Sequence, residues 1–152
     1  MKLSRVQIRR LIESVINEEV GDSLLGACTE LIKKDLGGKA VVLIDFTNKG
    51  SESDYDKVKS FFESCDVKVA LKQVKFEEGV NHRDLARDYC EEEKSNFCFF
   101  FAGDSGYLFY FPAGGGDIFL REKFKDLGES YGKDIGIALV CALFKKYSDG
   151  IR

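Results

Sequence analysis

Ala40-Val41-Val42-Leu43-Ile44-Asp45-Phe46 is apolar at every position but Asp45 and rich in branched side chains. A run this short and this apolar reads as a strand buried on both faces of a parallel sheet. Phe97-Cys98-Phe99-Phe100-Phe101-Ala102 is wholly apolar and is expected to be the central strand. Between the two, Tyr55, Val58, Phe62 and Cys65 recur at helical spacing. Val67, Val69 and Leu71 then alternate with Lys68, Ala70 and Lys72, as in a strand nearer the sheet edge. Asn81 is placed to cap a further helix ending about Glu93. Strands alternating with helices imply an α/β fold, here a single domain with a mostly parallel sheet of roughly four or five strands flanked by helices.

Outward from this frame the pattern becomes helical. Ser4 and Gln7 fit a capping box, and Ile8, Leu11, Ile12, Val15 and Ile16 share one face ahead of Gly21. Leu24, Leu25, Cys28, Leu31 and Ile32 repeat the spacing before Gly37 and Gly38. An N-terminal amphipathic helical hairpin is expected over residues 1–37, and the α/β domain over 38–152. On the other side, Gly103-Asp104-Ser105-Gly106 is turn chemistry leading into an aromatic strand at 107–111. After Pro112 and a mobile loop at 113–116, Asp117 is expected to cap a helix to about Leu127. Residues 135–147 read as a helix from their length, the Asp134 cap and Lys145-Lys146, although 135–140 also fits a buried strand.

The 152 residues are 44% apolar and 32% charged, enough to bury a core and too apolar for a disordered tail. A net charge of −3 supplies no overall attraction to nucleic acid or membrane. The five cysteines are odd in number, form no C-x-x-C pair and fall mostly in apolar runs. A disulfide framework or zinc site is therefore not expected, and a reducing, cytoplasmic setting is. No apolar stretch approaches the roughly 20 residues that span a bilayer, and no secretory h-region is present, so no membrane partner is expected.

In parallel sheets ligands gather at the carboxyl ends of strands. That rule selects Asp45 at the end of the first strand and Asp104 just beyond the central one. Asp88 falls to one side of the inner face of the helix carrying His82, Leu85, Ala86, Tyr89 and Cys90. Carboxylates converging there would suit a hard divalent cation able to activate water or stabilise a phosphoryl transition state. The structural alternative makes the strand-end aspartates Asx turns. It also makes Asp84, Arg87 and Glu91 a helix-surface ion-pair ladder. His82 is the single histidine, which leaves no Cys–His or Ser–His–Asp system, and a hydrogen-bonded structural role is expected of it. Lys2, Arg5, Arg9 and Arg10 make the first helix basic, although Glu13, Glu18 and Glu19 offset them. That helix is expected to pack on the domain or on another molecule, through self-association or a protein partner.

Ile44-Asp45-Phe46-Thr47-Asn48, Leu85-Ala86-Arg87-Asp88 and Ala102-Gly103-Asp104-Ser105-Gly106 together resemble the acidic motifs of NYN/PIN-type nuclease domains, over residues 39–106. The resemblance implies a metal-dependent phosphodiesterase or ribonuclease acting on RNA. Asp45, Asp88 and Asp104 would then be catalytic ligands of Mg²⁺ or Mn²⁺, with Asn48 supporting the metal. Gly106 stands where that family has a further Asp, which implies a degenerate site. The Gly-Asp turn is similar to that of GGDEF-type palm domains, and the element order is similar to caspase-type domains. The basic leader is similar to those on phage and marine bacterial proteins. Beside the nuclease reading stands a second: a non-catalytic interaction or assembly protein, a pseudo-enzyme on an α/β fold.

Overall fold

Gly38 sits at φ +78°, a left-handed backbone that glycine enters without a Cβ penalty. There the chain leaves a helix, α1 (24–36), and enters the sheet. The Gly37 N–H donates to the Lys33 carbonyl at 3.0 Å, and the Gly38 N–H to the carbonyl of Asp66 at 2.7 Å. The structure is a computed structural model, and the described residues are 24–48, 53–127 and 134–151. The basic first helix and the hairpin built on it lie outside them.

The remaining elements are β1 (Ala40–Phe46), α2 (Tyr55–Ser64), β2 (Lys68–Val74), α3 (His82–Glu93), β3 (Phe97–Ala102), β4 (Ser105–Tyr110), β5 (Ile118–Lys123), a 3-10 turn (Phe124–Asp126) and α4 (Ile135–Ile151). The sheet order is β2-β1-β3-β4-β5. β1 runs parallel to both β2 and β3, whereas β4 is antiparallel to β3 and β5 to β4. The expectation of a mostly parallel sheet is therefore corrected: the sheet is mixed, and antiparallel pairing holds the larger share. The physical reason is the turn at Gly103-Asp104, where Ala102 pairs directly with Ser105. A turn this tight returns the chain antiparallel and leaves no room for a crossover helix.

A second correction falls on the segment after Asp117. Instead of a helix to Leu127 it forms β5 and the 3-10 turn. Along β5, Phe119, Arg121 and Lys123 share one face with Phe109, Tyr107 and Ser105, their partners on β4. Ile118, Leu120 and Glu122 share the other. That period of two emerges only once β4 is present to pair with it.

Helices α1, α2 and α4 cover one face of the sheet. Ile32, Phe62, Leu139 and Phe144 meet Leu43 and Phe99 there, all fully buried. On the outer face α3 sets Ala86 and Cys90 against Val42, Ile44 and Cys98. β1 and β3 are thus apolar at consecutive positions because helices cover both their sides. α4 is capped as expected, with the Asp134 carboxylate accepting from the Ile137 N–H at 2.9 Å. Ala138 through Phe144 are all buried, and this unbroken burial is why 135–140 resembled a strand. At Gly106 a Cβ would lie 2.9 Å from Leu139 Cβ, so glycine lets α4 lie directly on β4.

The cysteine expectation is corrected too. Cys28 and Cys141 form a disulfide that joins α1 to α4 across 113 residues of sequence. Local spacing carries no trace of so long a connection. The bridge removes cysteine usage as an argument for a reducing compartment. Cys65, Cys90 and Cys98 are free and buried. Among the described residues no helix is long and apolar enough to cross a membrane.

Candidate functional site

The sheet separates two of the sequence-selected carboxylates. Asp45 is half-buried and alternates with Ile44 and Phe46, which pack toward α3. It therefore points to the α2 and α4 side. Tyr55 lies near it: burial pushes this phenol well above its ordinary range, and the charge of Asp45 adds to the shift. Asp88 is exposed on α3, on the other face. Asp104 is exposed in the β3–β4 turn. Its carboxylate accepts from the Ser105 hydroxyl at 3.4 Å, and its backbone carbonyl accepts from Phe124 N–H at 2.8 Å. Asn48 Nδ2 donates to the Phe76 carbonyl at 2.9 Å, while its Oδ1 accepts from Phe76 N–H at 2.6 Å. This reciprocal pair ties the loop after β1 to the chain leaving β2. The structure does not bring Asp45, Asp88 and Asp104 together. Among the described residues no three His, Cys, Asp or Glu side chains cluster so as to hold a metal ion.

His82 begins α3 behind the expected Asn81 cap, whose side chain accepts from the N–H groups of Arg83 and Asp84. The imidazole stacks on Phe76 at 4.5 Å and meets Phe46 edge-on at 5.3 Å. Its Nε2 is buried without a hydrogen-bond partner among the described residues. The structural role expected of His82 is thus served by ring packing rather than by a hydrogen bond at that atom.

Charge of the other sign collects at the opposite end of the sheet. A cleft of about 890 Å³ opens at the amino ends of β1, β2 and β3. Lys34 reaches it from the last turn of α1, Lys39 from the loop before β1, Lys68 from the start of β2 and Lys94 from the end of α3. The local chain fixes these positions. Lys68 N–H donates to the Lys39 carbonyl at 2.9 Å, and the Ser95 hydroxyl donates to the Ala40 carbonyl at 2.6 Å. Lys94 itself takes the left-handed backbone, φ 56°, that ends α3. Tyr110 and Tyr147, 4.8 Å apart, line the same cleft.

All four lysines are exposed, and none is paired with a carboxylate among the described residues. The acids lining the cleft are Asp35 and Glu93. Glu93 accepts from Lys72 Nζ at 2.7 Å, and that hydrogen bond raises the Lys72 pKa. Asp35 is not free either. Beside this cleft, the loop carrying Ala113 and the glycines folds back on α3, where Asp117 accepts from Arg83 Nε at 3.1 Å and from Arg87. Those arginines, Arg83 first, hold the Asp117 carboxyl below the usual carboxylate range. The clamp lies immediately after the loop at 113–116.

The lysines escaped the sequence reading because the carboxyl-end rule points away from them, and because they are scattered from residue 34 to residue 94. One signal was available: Lys39 directly precedes β1 and Lys68 opens β2, and parallel neighbours bring such positions close together. No family model, curated protein or solved structure matches the chain.

Proposed function

We propose that this chain is a non-catalytic binding domain whose ligand is a phosphate-bearing polymer, single-stranded RNA, held at the amino end of the sheet. The observation that carries the reading is the set of four lysines around one open cleft that have no carboxylate partner among the described residues. Helix C-termini attract cations, which accounts for Lys34 and Lys94 at the ends of α1 and α3. It does not account for Lys39 and Lys68. Uncompensated ammonium groups repel one another, and phosphates relieve that repulsion by releasing counterions on binding. Tyr110 and Tyr147 give the cleft aromatic walls beside the charge, the combination that single-stranded nucleic acid sites use. The separation of Asp45 from Asp88 favours this reading over RNA hydrolysis.

The test is fluorescence anisotropy of a labelled uridine oligonucleotide titrated with the full chain over a range of salt. Four phosphate contacts on a single strand give a log–log salt slope of about −3. Absence of saturable binding at low salt would overturn the proposal. So would Mg²⁺- or Mn²⁺-dependent cleavage of the oligonucleotide that Asp104→Asn abolishes, because that result restores the nuclease.

A further inference from the structure

β5 is the last strand of the sheet, and no described strand lies beyond it. Its backbone polarity can be read from one bond. Phe124 N–H donates to the Asp104 carbonyl at 2.8 Å, one position past the Ser105–Lys123 pair. Antiparallel strands alternate the edge to which successive residues direct their N–H and C=O groups. Ile118, Leu120 and Glu122 therefore address β4. Phe119, Arg121 and Lys123 direct their backbone groups outward, where the Arg121 carbonyl accepts from Lys146 Nζ at 3.5 Å, an exposed side chain that a pairing strand displaces.

The same three residues carry the side chains of the outer face. Phe119 is 52% exposed, and Val80 is the other exposed large apolar residue among those described. Tyr107 stacks on Phe119 at 5.8 Å and takes the Arg121 guanidinium at 5.6 Å. The opposite edge strand, β2, carries Lys68 and Lys72 and no exposed large apolar side chain.

We propose that β5 is an interface for a second copy of this chain, the two β5 strands pairing antiparallel about a two-fold axis through Leu120. In that register Phe119 faces Arg121 of the second copy, and Asp117 faces Lys123 of the second copy. Each outward-directed residue meets another one, so the new ladder closes with N–H opposite C=O on both sides. The cross-strand Phe119–Arg121 pairs join aromatic ring to cation, a combination that stabilises antiparallel neighbours; Asp117 is already held by Arg83 and Arg87 and brings no free charge to the seam. An axis through Arg121 would set two guanidinium groups against each other. An axis through Phe119 would leave Lys123 facing Gly115. The self-complementary register yields one continuous sheet across two molecules, with the RNA-binding cleft of each copy left open.

Sedimentation equilibrium of the full chain tests this. A reversible monomer–dimer equilibrium is expected, with Kd on the order of tens of micromolar. Arg121→Pro removes an N–H that points outward and leaves the β4–β5 ladder intact, as proline at a sheet edge does. It should weaken the dimer at least about tenfold while the circular dichroism of the monomer is unchanged. Phe119→Lys makes the same test without touching the backbone, and it decides the matter if the proline variant fails to fold. A wild-type chain that stays monomeric to about 0.5 mM, or a dimer that Phe119→Lys leaves equally tight, would overturn the proposal.

Discussion

The carboxyl ends of β1 and β3 and the amino ends of β1, β2 and β3 lie at opposite ends of one sheet, the first carrying Asp45 and Asp104 and the second four lysines beside Asp35 and Glu93. Helices packed antiparallel to parallel strands turn their N-termini toward the carboxyl ends, where partial positive charge attracts acids. Asp54 answers that field by accepting from Asp56 N–H at 3.0 Å at the start of α2. Asp134 does so at the start of α4 and lies 3.9 Å from Lys57. At the amino end the same field favours lysine, but the lysines there exceed what two helix ends require. The difference teaches that a charged cluster becomes informative when its members are left without structural partners.

The Cys28–Cys141 bridge anchors α1, and so Lys34, at the basic end. Replacing both cysteines with serine should cost about 5 kcal/mol for a loop of this length and lower Tm by roughly 15 °C. Calorimetry reads the loss, and RNA affinity should fall only a few-fold, since three lysines remain in place. Gly106→Ala strikes near the other end, where its Cβ meets Leu139 and Leu143 at 2.9 and 3.2 Å. It should cost about 2 kcal/mol in urea unfolding through overpacking and leave binding unchanged. Asn48→Ala removes both bonds to Phe76 and should cost about 1 kcal/mol, again without effect on binding. A larger change in affinity from either carboxyl-end variant would break the division between the two ends.

Asp117 gives a pH-dependent contrast. Its folded pKa lies below the ordinary 3.8 because Arg83 and Arg87 hydrogen-bond its carboxylate. The clamp therefore contributes fully above that ordinary value and is lost as pH falls through the lowered one. Asp84 lies 3.9 Å from the same Arg87. Stability measured from pH 6 downward should decline less in Asp117→Asn than in the parent chain. The smallest expected effect is from metal: Mg²⁺ at about 5 mM should move Tm by less than about 1 °C, whereas a specific site would raise it by mass action.

Much of the architecture was legible from local pattern. β3 begins and ends where its apolar run does, α3 starts at the Asn81 cap, and α4 follows the Asp134 cap. What failed was whatever depends on distant partners. β5 is a strand because β4 lies beside it, and Cys28 finds Cys141 only after α1 and α4 share a face. The candidate site was illegible for the same reason. Four lysines on four segments converge through strand register and helix ends, while the alternation of β1 turns Asp45 to the sheet face opposite Asp88.

The most direct measurement sets two double variants side by side, each followed for stability and for RNA affinity. Lys39→Gln with Lys68→Gln should leave unfolding free energy within about 0.5 kcal/mol, because unpaired surface charges lose nothing when removed. The same variant should weaken oligonucleotide binding by about tenfold or more and flatten its salt slope toward −1.5 or so, as two phosphate contacts vanish. Asp45→Asn with Asp104→Asn should leave affinity unchanged. If the lysine variant binds as tightly as the parent, or the aspartate variant loses binding instead, the account of the two ends is contradicted.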